Sequence, residues 1–220
     1  MRRYFVLFLI ILISCTPKSV DALPQIVSVY VTPATVKWLP FVYKCGARSP
    51  GTLVSRSFDI AYADISLRVG NVLGSDMLSY QIGETEVVAV VNASNPVTAL
   101  TQRQLAELFS GQINNWADVG GDDADVQLWV YHIEDDLQVA FSGAVLGDRT
   151  LSSLARQAAS PDVMREAIAE DTNALGILSR DDANASVRII EMENKIALPV
   201  LAIVSSEPST LVEGILICLQ

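Results

Sequence analysis

The sequence predicts an α/β fold, because stretches with the pattern of buried strands alternate with stretches that have the apolar spacing of helices. The clearest strand is an uncharged run of valine and alanine at residues 87–91. Turn residues follow it, and Thr101 then has Gln104 at the spacing of a capping box, which predicts a helix that Gly111 ends.

The remaining elements follow the same alternation along the 220 residues. Further strands are predicted by short apolar or β-branched runs at residues 25–31, 51–54, 126–132, 187–190 and 198–204, a short strand or turn at 58–68, and a turn leading into a strand at 173–179. Further helices are predicted at residues 36–45 (broken or delayed at Pro40), from 135 onward, and at 151–159, 161–170 and 210–219.

Residues 86–121 read EVVAVVNASNPVTALTQRQLAELFSGQINNWADVGG. Their order of strand, Asn-Pro turn, capped helix and G-x-I-x-N-W tail resembles the phosphate-binding type of extracytoplasmic solute-binding protein. That resemblance implies the type II periplasmic binding protein fold, with mixed sheets flanked by helices and two lobes joined by two crossing strands. Lobe 1 would comprise residues 25–90 and 178–220, and lobe 2 residues 91–177, with the ligand between them.

The N-terminus has the order of a signal peptide, with two arginines, an uncharged run at residues 4–13, and Ser14-Cys15. The ending resembles the bacterial lipobox, so residues 1–14 are predicted to be removed and Cys15 to be lipidated. The alternative, a transmembrane anchor, needs about 20 apolar residues and the run is shorter. With residues 15–24 as a tether, we expect a lipid-anchored protein of the bacterial cell envelope, on the outer side of the cytoplasmic membrane.

The charge balance excludes whole classes of partner. The net charge is −10, and removal of residues 1–14, which hold two arginines and no acid, makes it −12. Such a chain is unsuited to bind nucleic acid, and the lipid anchor is its only expected contact with the membrane. One histidine and no G-x-S-x-G motif predict no enzyme, no metal and no cofactor.

The resemblance implies that two loops of lobe 1 face the ligand. Thr32 and Thr35 lie in a turn between a strand and a helix, where hydroxyl and free N–H groups suit an anion, although Thr32 could simply cap the helix. Asp64, Ser66 and Arg68 form the second loop, and Arg68 could hold a carboxylate or phosphate in bidentate fashion or lie in solvent.

The loop of lobe 2 departs from the family. Relatives that bind phosphate carry an arginine and then Ser-Gly-Thr where this chain has Tyr131 and His132 followed by IEDDL. Tyr131 and His132 remain candidates for the ligand site. The three acids at residues 134–136 would repel an anion, so weak or no phosphate binding is predicted.

Two functions therefore remain open. The first is capture of a small polar or anionic solute by a monomer that delivers it to an ABC permease for import. The second is a sensor or scaffold lipoprotein, outside transport, that kept the fold and lost the phosphate site.

Cys45 and Cys218 are the two cysteines left after Cys15. The resemblance returns the last helix to lobe 1, where Cys45 ends the first helix, so a disulfide between them is predicted for an exported protein. The alternative is a pair of separate buried thiols.

Overall fold

The computed structural model describes residues 23–70 and 77–220, and the predicted signal peptide, Cys15 and most of the tether lie outside these ranges. The described ranges contain ten strands: β1 (Gln25–Val31), β2 (Thr52–Ser57), β3 (Ile65–Val69), β4 (Leu78–Asn92), β5 (Ala99–Leu100), β6 (Gln127–Val130), β7 (Arg156–Gln157), β8 (Ala174–Ser179), β9 (Val187–Met192) and β10 (Ile196–Val204). Their α-helices are α1 (Leu39–Gly46), α2 (Gln102–Ser110), α3 (Asp136–Phe141), α4 (Pro161–Glu170) and α5 (Thr210–Leu219).

The strands form one mixed sheet in the order β2-β1-β3-β10-β4-β8-β6-β7, and β9 pairs with β4 and β5. β1 runs parallel to β2 and β3, whereas β10 runs antiparallel to β3 and β4. The first part of β4, up to Val87, pairs with β10, and its last part pairs with β8 and β9. The predicted α/β class with a mixed sheet is confirmed.

The central strand–turn–helix unit has the predicted geometry. The Thr101 hydroxyl accepts from the Gln104 N–H, and the Gln104 side chain accepts from the Thr101 N–H, which completes a capping box. Gly111 ends α2 with a φ of 76°, a left-handed conformation that glycine adopts without a steric penalty. The helix buries Leu105 and Phe109 against the core.

The predicted helix at residues 151–159 is wrong. This stretch is a turn, closed by the Ala155 N–H donating to the Ser152 carbonyl, followed by β7, and its other backbone bonds run to distant segments. The Ser152 N–H donates to the Phe109 carbonyl, and the Ala158 N–H donates to the Val130 carbonyl. Leu154, which a helix could bury, is 88% exposed.

Helices α1 and α5 pack against each other, and a disulfide joins Cys45 to Cys218 with a Cα–Cα distance of 5.7 Å. That separation satisfies the limit of about 7 Å for an unstrained bridge. No helix within residues 23–70 and 77–220 is long and apolar enough to cross a membrane.

Candidate ligand-binding cleft

The turn after β1 is fixed by its own threonines. The Thr35 hydroxyl is fully buried, accepts from the Thr32 N–H at 2.9 Å and donates to the Leu67 carbonyl at 2.9 Å. The turn therefore rests on β3, and the Thr32 hydroxyl, 3.1 Å from that of Thr35, also faces a group outside the turn. It donates to Oδ2 of Asp136 at 3.3 Å.

Arg68 and Val69, at the end of β3, face the same carboxylate. The Arg68 Nε lies 3.0 Å from Asp136 Oδ1, and Nη2 lies 2.6 Å from it. The backbone N–H of Val69 donates to Oδ2 at 3.0 Å. We call Thr32, Arg68 and Val69 the donor cluster, because all three supply hydrogen-bond donors to one point.

Asp136 is the first residue of α3, and its side chain is only 4% exposed. Its hydrogen bond to Arg68 raises the pKa of the Arg68 guanidinium above its ordinary value. Asp135, one residue earlier, caps α3 by accepting from the Leu137 N–H at 3.0 Å. Burial raises the pKa of Asp135 above its ordinary value.

One cavity borders the donor cluster, and a second lies beside the Thr32 turn. The first, of about 550 Å³, is lined on one side by Arg68 and Leu198 and on the other by Glu134 and Asp136. The predicted division assigns the first pair to lobe 1 and the second pair to lobe 2.

The second cavity, of about 420 Å³, lies beside the Thr32 turn and carries both signs of charge. Its lining includes Lys37, Arg56, Ser160, Asp162 and Asp182. Lys37 is already paired, because its ammonium lies 3.3 Å from Asp182. A ligand with both a cationic and an anionic group would find partners here.

The structure does not bring every predicted residue into the cluster. The Asp64 carboxylate accepts from the Ser28 N–H and hydroxyl, both at 2.7 Å, and so ties β1 to the segment before β3. Ser66 is buried on β3, two residues before Arg68. Thr35 supports the turn rather than reaching the Asp136 carboxylate.

Tyr131 and His132 follow β6 and differ in exposure. Tyr131 is buried, its hydroxyl has no hydrogen-bond partner within the described residues, and burial raises its pKa. His132 is exposed, and its Nδ1 accepts from the Glu134 N–H at 3.4 Å.

Sequence reasoning missed the part that Asp136 plays. It treated the acids at residues 134–136 as a single source of repulsion. An ion pair could have been predicted, because the sequence has an arginine in one expected cleft loop and acids in the loop expected to face it.

Comparison with known proteins agrees with this fold. The family model for the PBP superfamily domain matches residues 58–214. A Clostridium perfringens protein assigned to phosphate ABC transport, with phosphate bound, superimposes with a TM-score of 0.80 at 16% identity, over 88% of this chain and 92% of that one.

Two further structures share the fold at low identity. An ABC-type phosphate transport receptor from Vibrio cholerae gives a TM-score of 0.72 at 19% identity, over 88% of this chain and 93% of that one. The regulatory domain of Synechocystis CcmR, bound to 2-PG, gives 0.66 at 11%, over 88% and 95%. Since the family model matches well over half of its length, the chain belongs to the PBP superfamily and has the type II periplasmic binding protein fold.

Proposed function

We propose that this protein is an extracytoplasmic solute-binding protein, which captures a small polar or anionic solute between its lobes for an ABC importer. The observation that carries the proposal is the donor cluster. A guanidinium, a hydroxyl and a backbone N–H converge within 3.3 Å of one carboxylate. Such charge-assisted donors suit carboxylate and phosphate oxygens. Two relatives of the same fold bind or transport phosphate.

The solute we propose is not inorganic phosphate. Glu134 and Asp136, just before and at the start of α3, line the cavity beside the donor cluster, and their charge opposes a multiply charged anion. The two neighbouring cavities leave room for a larger molecule that offers one anionic group together with polar or cationic groups.

One observation favours a second candidate, a sensor or scaffold lipoprotein outside transport. The donor cluster is engaged by the protein's own Asp136 rather than free for a solute. The fold is compatible with such a role, since a regulatory domain shares it.

A ligand screen tests the proposal. The mature protein is heated with phosphate, sulfate, molybdate, carboxylates and amino acids, and each stabilising compound is then titrated by calorimetry. A solute at 100 times its dissociation constant should add about 2.7 kcal/mol to the free energy of unfolding. If no solute in the panel stabilises the protein, capture is contradicted and the second candidate is favoured.

Arg68→Ala extends the same test to the cluster. It should weaken an anionic solute by about 1.5–3 kcal/mol, the range for a hydrogen bond to a charged group. Arg103→Ala is the control, because Arg103 is 82% exposed on α2 and pairs only with Glu107 among the described residues. Equal affinities of the two variants would place Arg68 outside the solute site.

We also propose that the chain is a monomer anchored to the membrane by a lipid on Cys15. The Cys15→Ala variant should leave the membrane fraction, while Ser14→Ala, which keeps the cysteine and a small preceding residue, should remain there. Membrane retention of Cys15→Ala at unchanged mass would show that another element anchors the protein.

A further inference from the structure

The carboxylate of Asp136 receives every donor of the cluster. Thr32 Oγ1, Arg68 Nε, Arg68 Nη2 and Val69 N lie 3.3, 3.0, 2.6 and 3.0 Å from its oxygens. A carboxylate with this many donors and so little exposure is bound as a ligand anion would be.

The contacts cross the cleft. The donors belong to the turn after β1 and to β3, whereas Asp136 opens α3, 68 residues after Arg68 and 104 after Thr32. In the predicted division the donors are in lobe 1 and the carboxylate is in lobe 2. The same bonds that fill the anion position therefore join the two lobes.

The charges in the cluster balance one to one. Arg68 is the only basic side chain that forms a salt bridge to Asp136 within the described ranges. No second cation contacts the carboxylate there, so the cluster has no spare positive charge with which to bind another anion beside it. A solute anion could bind these donors only by taking the place of Asp136.

We infer that Asp136 is an internal anion, which occupies the anion position of the cleft and holds the lobes together before any solute arrives. The inference rests on the proposed function in taking this position as the place where a solute anion binds. The contacts between Asp136 and the donor cluster do not depend on that function. Because Asp136 is tethered, its effective concentration at the donors exceeds that of a dilute free anion. A free anion must therefore bind the donors tightly enough to displace Asp136, which selects against anions that bind weakly.

The test removes the internal anion and supplies a free one. Asp136→Ala and the wild type, each as the full mature chain, are titrated with acetate and with inorganic phosphate by calorimetry. We expect Asp136→Ala to bind acetate or phosphate at least tenfold more tightly than the wild type. Asp148→Asn is the matched control, because it removes one negative charge at an exposed position that lines neither the cavity beside Arg68 nor the one beside the Thr32 turn. It should behave like the wild type.

A second readout follows the lobes. In small-angle X-ray scattering without added anion, Asp136→Ala should have a larger radius of gyration than the wild type, and saturating acetate should reduce it. Adding Arg68→Ala to Asp136→Ala should abolish the acquired anion binding. If circular dichroism shows that Asp136→Ala is unfolded, the nearly isosteric Asp136→Asn takes its place with the same readouts.

The inference is overturned if the Asp136 variant binds neither anion better than Asp148→Asn does, or if its scattering profile matches that of the wild type. These outcomes differ from a failure of the proposed function. That failure is seen in the wild type, which would then bind no solute of the panel, while the variant could still acquire acetate or phosphate binding.

Discussion

Asp135 and Asp136 are chain neighbours whose carboxylates have opposite surroundings. Asp136 is paired with Arg68, whereas Asp135 caps α3 and is half-buried beside another acid. Sequence reasoning could place Thr32 and Arg68 at expected cleft loops, because each loop is a local pattern. It could not pair Arg68 with Asp136, since the contact depends on how two lobes meet across 68 residues of chain.

The cap makes a prediction for Asp135. Asp135→Ala removes the acceptor for the Leu137 N–H and should lower the free energy of unfolding by about 1 kcal/mol. Asp135→Asn keeps an acceptor at that position and should stay within about 0.5 kcal/mol of the wild type near neutral pH. Urea unfolding of the three proteins measures both values, and an equal loss in the two variants would contradict a capping role.

The pKa of Asp135 adds a pH dependence to that comparison. Burial raises this pKa in the folded state, so the folded protein binds the proton more tightly than the unfolded chain does. The carboxyl's contribution to stability therefore falls as pH rises from its ordinary pKa through the raised one. Asparagine does not titrate, so the stability of Asp135→Asn relative to the wild type should rise across that window.

At the scale of elements, prediction succeeded where the signals were local. Helices α4 and α5 have their predicted bounds, because Ser160 and Ser209 cap them and Pro161 starts the former. It failed at residues 151–159, whose hydrogen-bond partners are Phe109 and Val130. The sequence predicted only residues 87–91 of β4, which begins at Leu78. The first half of that strand is polar and is held by pairing with β10, which no local pattern indicates.

The link between α1 and α5 makes a stability prediction. Replacing Cys45 and Cys218 together by alanine opens a loop that spans 173 residues and should cost up to about 4 kcal/mol in the chain-entropy model. Reductant should destabilise the wild type in urea unfolding and leave the double variant unaffected, which serves as the control. Alkylation of both thiols in the unreduced wild type would show that the bridge does not form.

At the scale of the whole molecule, one segment indicated the fold. Residues 86–121 contain the capped helix and its turns, and the family model and the structural relatives agree with the resemblance they carry. Function could be predicted only as a class, because proteins that share this fold include both transport proteins and a regulatory domain. Side chains at the cleft can separate those roles, and in this chain one of them, Asp136, pairs with Arg68.

The length of β4 has a consequence for how the molecule melts. Val87 pairs with Ile196 of β10 on one side and with Ser179 of β8 on the other, so a single unbroken strand supplies hydrogen bonds to both halves of the sheet. If either half of the sheet unfolds, β4 loses hydrogen-bond partners along part of its length, and the other half is destabilised because it pairs with the same strand. The chain should therefore denature as one cooperative unit, and anything that steadies the cleft should protect both lobes alike.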